Sequence, residues 1–216
     1  MNGIPPHLEF ADPVSGPPAM SGNLRALAGE LAAPDFGGSP GWTAGLATAS
    51  TVGALGALLN RHASEVLCTR EWPVIVEAWR LARLGHVREL LELDATWGRE
   101  IGAAGFAQAS FRVGQRQLSK LRGLRHERVI QRYLDAVEAG RAHAWHPVVY
   151  GVVLAVYHLP LRQGLLHFAT QILAGLVTAA ERSHRLPAEE CQALLDVTCA
   201  SLPHRLPPLS PGQGLG

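Results

Sequence analysis

"HAWHPVVYGVVLAVYHLP", residues 143 to 160, admits three readings that lead to three different proteins. His143 and His146 stand three apart, a spacing that shares one face of a helix and raises a metal site. Val148 to Tyr157 is apolar, with one glycine, and raises a membrane span. Pro147 ahead of that run raises a buried helix with proline in its first turn. The span fails on length, because a bilayer needs about 20 consecutive apolar residues and Pro160 closes this run. The next apolar block, Leu161 to Ala180, carries Arg162, Gln163, His167 and Gln171, which a core or interface helix tolerates better than lipid does. The metal reading lacks a third ligand nearby, and His62, His158, His167, His184 and His204 form no ligand spacing. A residue before proline avoids the α region, so His146 is expected just outside the helix, in a loop at its start.

Around this stretch the chain reads as one all-α domain. It has 216 residues, 47% of them apolar, enough for a packed core. The formal net charge of +1 gives no basic footprint for nucleic acid and no membrane anchor. Cys68, Cys191 and Cys199 are too scattered for a disulfide framework or a structural zinc site. The start, "MNGIPPHLEFADPVSGPP", has neither a basic opening nor an apolar run, which predicts a cytoplasmic protein. Residues 1–21, dense in Pro, Gly and Ser, are expected to form a mobile arm; residues 22–202 a helical domain; residues 203–216 a flexible tail.

About eight helices are predicted. "GNLRALAGELAA" places Leu24, Leu27 and Leu31 on one face, and "PDFGGSPGW" is a loop. Residues 43–68 form a small-residue helix with interior glycines. "EWPVIVEAWRLARLG" is a second helix, burying Ile75, Val76, Trp79 and Ala82 and stopping at Gly85. Residues 86–121 form two helices or one kinked helix, with Glu89, Glu92 and Asp94 on a solvated face. Val129, Ile130, Tyr133, Leu134 and Val137 make one stripe, and Pro187 begins a last helix. Within residues 105–118, Ser110 and Gly114 lie four apart on a groove without bulky side chains, the kind that receives another helix. There is no nucleophile motif and no phosphate loop. No catalytic, cofactor-binding or metal residue is therefore assigned.

Three tracts, in order, resemble the urease accessory protein UreF family. "LDATWGREIGAAGFAQASFRVGQRQL" is similar to its central segment at Leu93, Asp94, Ala95, Ala109, Ser110, Gly114 and Leu118. "HPVVYG", His146 to Gly151, resembles the family's H.PVVFG, with the histidine one place nearer the proline. "LPLRQGLLHFATQILAGLVTAAER" resembles its LPLE.ALLAYL…..LVSAAVR. The resemblance covers about residues 24–195. Departures include Pro40 and Ala47 in the early motif, Gln108 for a glutamate, and Ala188 and Glu189 for Gln and Thr, while Gln192 is kept. The resemblance implies a divergent, non-catalytic chaperone in nickel insertion, acting as a cytoplasmic adaptor without a cofactor. It implies a dimer that binds a UreH/UreD-type accessory protein and recruits a UreG-type GTPase to apo-urease. Partner or helix-packing contacts are then expected at Ser110, Gly114, His146, Pro147, Tyr150, Gly151, Gln192, Leu206 and Leu209. His146 is expected to cap the helix start through a backbone hydrogen bond. Two other readings are an all-α ligand-binding or regulatory domain and an all-α metalloenzyme, for which Glu181-x-x-His184 is the one Glu-x-x-His match.

Overall fold

The computed structural model describes Leu46, residues 48–101 and residues 107–208. The N-terminal arm, the Leu24 helix, the loop at residues 34–42 and Leu209 lie outside the described residues. What is described is all-α, as the periodicity predicts.

Thr51 starts the first helix, α1 (Val52–Arg61). Its hydroxyl accepts from the Ala54 N–H at 3.2 Å, satisfying one of the donors that a helix start leaves open. Two separate helices are expected between residues 43 and 85. Instead α1 continues through a π-helical stretch, His62–Glu71, into α2 (Trp72–Leu84), making one rod. A proline inside an α-helix lacks the N–H for the i−4 carbonyl and clashes with it. The wider π winding ahead of Pro73 changes which carbonyl lies beneath the ring, so the rod passes through the proline. Gly85, in the left-handed conformation at φ 70°, ends α2 as expected. Then come α3 (Val87–Ile101), α4 (Ala107–Lys120), α5 (Arg128–Glu138), α6 (His146–Val156), α7 (Leu161–His184) and α8 (Ala188–Ser201).

The opening stretch supplies the centre of the domain. Every residue of α6 from His146 to Ala155 is buried, so this helix is covered on all sides. The rod crosses it at Gly151. A Cβ there would sit 2.5 Å from the Ile75 carbonyl oxygen and 2.7 Å from the Ala78 Cβ, so only glycine permits this approach. On another side Tyr150 Oη donates to the Gly164 carbonyl of α7 at 3.2 Å. Trp72 Nε1 donates to the Leu165 carbonyl, also at 3.2 Å, which ties the rod to α7. After α8 a short 3-10 turn, Leu202–Arg205, follows, and Leu206 packs half-buried on the core. Among the described residues no helix is long and apolar enough to cross a membrane.

Gly151→Ala is expected to cost about 1–3 kcal/mol by overpacking the crossing. Gly53→Ala, where a Cβ meets nothing within 4 Å, is expected to stabilise by about 0.5–1 kcal/mol, because it raises helix propensity. Urea unfolding of both variants checks this. Equal midpoints for the two would mean that the helices do not cross at Gly151.

Candidate functional site

Asp94 is the residue whose sequence reading fails most informatively. It is expected on a solvated face with Glu89 and Glu92, yet it is fully buried, while Glu92 is exposed and Glu89 half-buried. Its Oδ1 accepts from Tyr133 Oη at 2.7 Å and from the Trp145 N–H at 3.0 Å; its Oδ2 accepts from the His143 N–H at 2.6 Å. One carboxylate from α3 thus holds α5 and the loop that leads into α6. Burial, the facing carboxylate and their hydrogen bond all push the Tyr133 phenol well above its ordinary range, so it stays a donor.

The start of α6 is completed from α4. Ser110 Oγ accepts from the His146 N–H at 3.3 Å. A Cβ on Gly114 would fall 1.9 Å from the Ala144 carbonyl oxygen, so the loop backbone lies directly on the glycine. The groove of Ser110 and Gly114 therefore receives the loop at Ala144 and Trp145 and the first residue of α6, the helix against which α4 packs. Ala144 is buried in the left-handed region at φ 61°, a conformation that costs a non-glycine residue about 1 kcal/mol or more. The contacts around it hold it there.

His146 is the first residue of α6, inside the helix, with Trp145 as N-cap and Pro147 next. It does not cap that start through its ring. Asp94 and Ser110, from two other helices, take the backbone donors. The His146 ring is buried between Tyr150 and Phe168, with centroids 6.0 and 4.8 Å away. Gln117 Nε2 lies 3.2 Å from His146 Nε2, a buried side-chain contact between α4 and α6. Burial lowers the His146 pKa to about 3. His143 is exposed, with its ring edge-on to Trp145 at 5.7 Å.

The other sequence-selected residues separate. Pro147, Tyr150 and Gly151 are buried in α6, within helix packing of this chain. Gln192 is exposed on α8 and donates to Asp196 at 2.8 Å. Leu206 covers the core beside the last turn. His184 Nε2 donates to the Leu46 carbonyl at 2.7 Å, so that nitrogen of the Glu-x-x-His match is already engaged. Among the described residues no three His, Cys, Asp or Glu side chains gather as a metal site. An open surface groove of about 540 Å³ is lined by Asn60, Arg61, Ser64, Cys68 and Arg205, none of them selected from the sequence.

A family model described as UreF matches residues 50–197, from the cap of α1 through most of α8. The chain belongs to the UreF family. No curated protein matches it. UreF proteins are urease accessory proteins, with a role in urease maturation alongside other accessory proteins and urease. The matched region contains all three partners of Asp94 and both residues of the α4 groove. In this UreF chain, sequence reasoning missed Asp94 as a hub. The available signal was its place one turn beyond Leu90 and three before Trp97, both buried on α3.

Asp94→Asn puts an amide NH₂ where one oxygen accepts, leaving a buried donor unpaired at a cost of about 1–3 kcal/mol. Hydrogen exchange should then quicken at the His143 and Trp145 amides. Tyr133→Phe removes only a side-chain donor and should leave those two amides protected. Equal protection in wild type and Asp94→Asn would remove the hub from the account.

Buried titrating groups set the pH dependence. Burial lowers His146 to about 3 and His62 to about 4, and lowers His167 as well. Between those values and about 6.5 the unfolded chain binds more protons, so stability rises with pH up to about 6.5. Burial pushes Glu71 up to about 8, against a smaller opposing pull from Arg70. Between about 4.5 and 8 the folded chain holds that extra proton, so Glu71 lowers stability as pH rises. The three histidines outweigh it below about 6.5, and above that it acts alone. Urea midpoints are expected to peak near pH 6.5, and Glu71→Gln should flatten the decline from 6.5 to 8 while keeping the acid limb.

Proposed function

We propose that this chain is a non-catalytic adaptor in nickel-urease maturation. It acts in the cytoplasm as a dimer, binds a UreH/UreD-type accessory protein, and brings a UreG-type GTPase to apo-urease. The observation that carries this is the UreF match over residues 50–197. The junction agrees with it: Asp94, Ser110 and Gly114 act on backbone, fixing a loop and a helix start. Such a body suits a part that must present fixed surfaces to several partners, since preorganisation lowers the ordering cost of binding.

We propose further that residues 22–202 form the docking body and that residues 1–21 and 203–216 act as partner-binding segments. Leu206 and Leu209 serve as anchors, and Gln192 lies on an exposed contact face of α8.

The test is co-expression of the tagged full chain with a UreD-type protein, a UreG-type GTPase and apo-urease. Purification on the tag should retain the GTPase only when the UreD-type protein is present, and nickel content and urease activity should depend on the chain. Full nickel loading of urease without the chain, together with no retained partner, would overturn the reading.

A further inference from the structure

The net charge of +1 hides a strong local asymmetry. Residues 112–132 hold seven of the chain's 19 Lys and Arg but one of its 18 Asp and Glu, leaving 12 against 17 elsewhere. All seven cations are exposed. Arg112, Arg116 and Lys120 stand at i, i+4 and i+8, along one line of α4 with about 6 Å of rise between neighbours. The chain then turns through Leu121–Gly123, and Arg125, Arg128 and Arg132 continue the run into α5.

Helix stability accounts for Lys120, in the last turn of α4, but not for the arginines around it. Arg128 is the first residue of α5, whose first turn has no acidic residue, and Arg125 lies just ahead of it. A helix N-terminus carries partial positive charge and disfavours cations there. Arg112 with Arg116, and Arg128 with Arg132, place like charges at i, i+4, which weakens helices. Arg122 pairs with Glu138 at 2.5 Å, closing the turn onto the end of α5, and Arg116 and Lys120 also interact within the chain.

We propose that this basic strip, from Arg112 on α4 to Arg132 on α5, is the docking surface for an acidic face of a protein partner. The identity of that partner as a urease-maturation component rests on the function proposed above. Six of the seven cations are arginine, whose planar fork pairs two-to-two with carboxylates. The exposed residues between them are Gln115, Ser119, Gly123 and His126. Their one ring is the His126 imidazole, short of the row of aromatic rings on which successive bases of single-stranded nucleic acid stack, and they have no apolar side chain to enter a membrane. A chain of near-zero net charge also lacks the long-range field that gathers polyanions, so recognition is local and follows the spacing of the arginines.

The experiment compares the full-length chain with an Arg112→Glu/Arg125→Glu/Arg128→Glu triple variant and the same triple to Gln. Four probes are used: apo-urease, the UreG-type GTPase, a 20-base-pair DNA duplex, and vesicles of mixed phosphatidylglycerol and phosphatidylcholine. At least one protein probe, added with the UreD-type protein, should bind the wild type more weakly as salt rises from about 50 to 300 mM. The Glu triple should lose about tenfold or more in affinity with helix content unchanged, and the Gln triple should fall between. If the Glu triple fails to fold, Arg112→Glu and Arg125→Glu singly must each flatten the salt dependence. Wild-type affinity and salt slope in the variants would sink the strip and leave the adaptor role standing. No protein probe bound by wild type would sink the adaptor role, and the strip's partner with it. Strip-dependent binding that is tighter to the duplex or the vesicles than to protein would overturn the choice of partner.

Discussion

The Asp94 carboxylate is the point on which the arrangement of α3, α5 and α6 depends. A carboxylate moved from water into a core must regain its hydrogen bonds there, or it destabilises the fold by several kcal/mol. Asp94 regains three, from a phenol and two backbone amides. Those amides belong to the loop before α6, where a helix start would otherwise leave donors open. One residue therefore answers two needs, its own burial and the capping of the central helix. The cap comes from another helix, so α6 acquires its start only when α3 is in place.

Close approach is the second constraint, and it depends on the first. Asp94 and Ser110 can reach the loop because Gly114 leaves nothing between α4 and the Ala144 carbonyl. The indole of Trp145 likewise lies on Gly98 of α3, where a Cβ would meet Nε1 at 2.6 Å. With both neighbours drawn in, Ala144 is held in a left-handed conformation that alanine rarely adopts. The rod crosses the other side of α6 at Gly151 by the same device. A helix enclosed in this way is a rigid centre, and the exposed faces of α4, α5 and α8 are displayed at fixed positions around it.

Electrostatics divide along the same line. Inside, His146 is held neutral and Glu71 is pushed toward its neutral form, because burial penalises the charged state of either kind of group. Outside, charge is segregated, with cations gathered on the α4–α5 strip and acids such as Glu189, Glu190 and Asp196 exposed on α8. A net charge near zero conceals both features, since a sum carries no information about position.

Much of the fold was legible in the chain. The 3.6-residue periods of α2 and α5, the stop at Gly85 and the proline in the first turn of α6 follow from local rules that act within one or two turns. The all-α class and the resemblance to UreF rest on such patterns, and the structure and the family match agree with them. Three features were decided only by the tertiary structure: the burial of Asp94, the engagement of His146 with Gln117, and the loop received by the Ser110–Gly114 groove. Asp94 meets its backbone partners 49 and 51 residues away, and Gln117 meets His146 across 29. Local patterning reports which face of a helix is apolar. It does not report what a polar residue on the edge of that face will meet. That is set by which distant backbone donors the folded chain brings within hydrogen-bond distance.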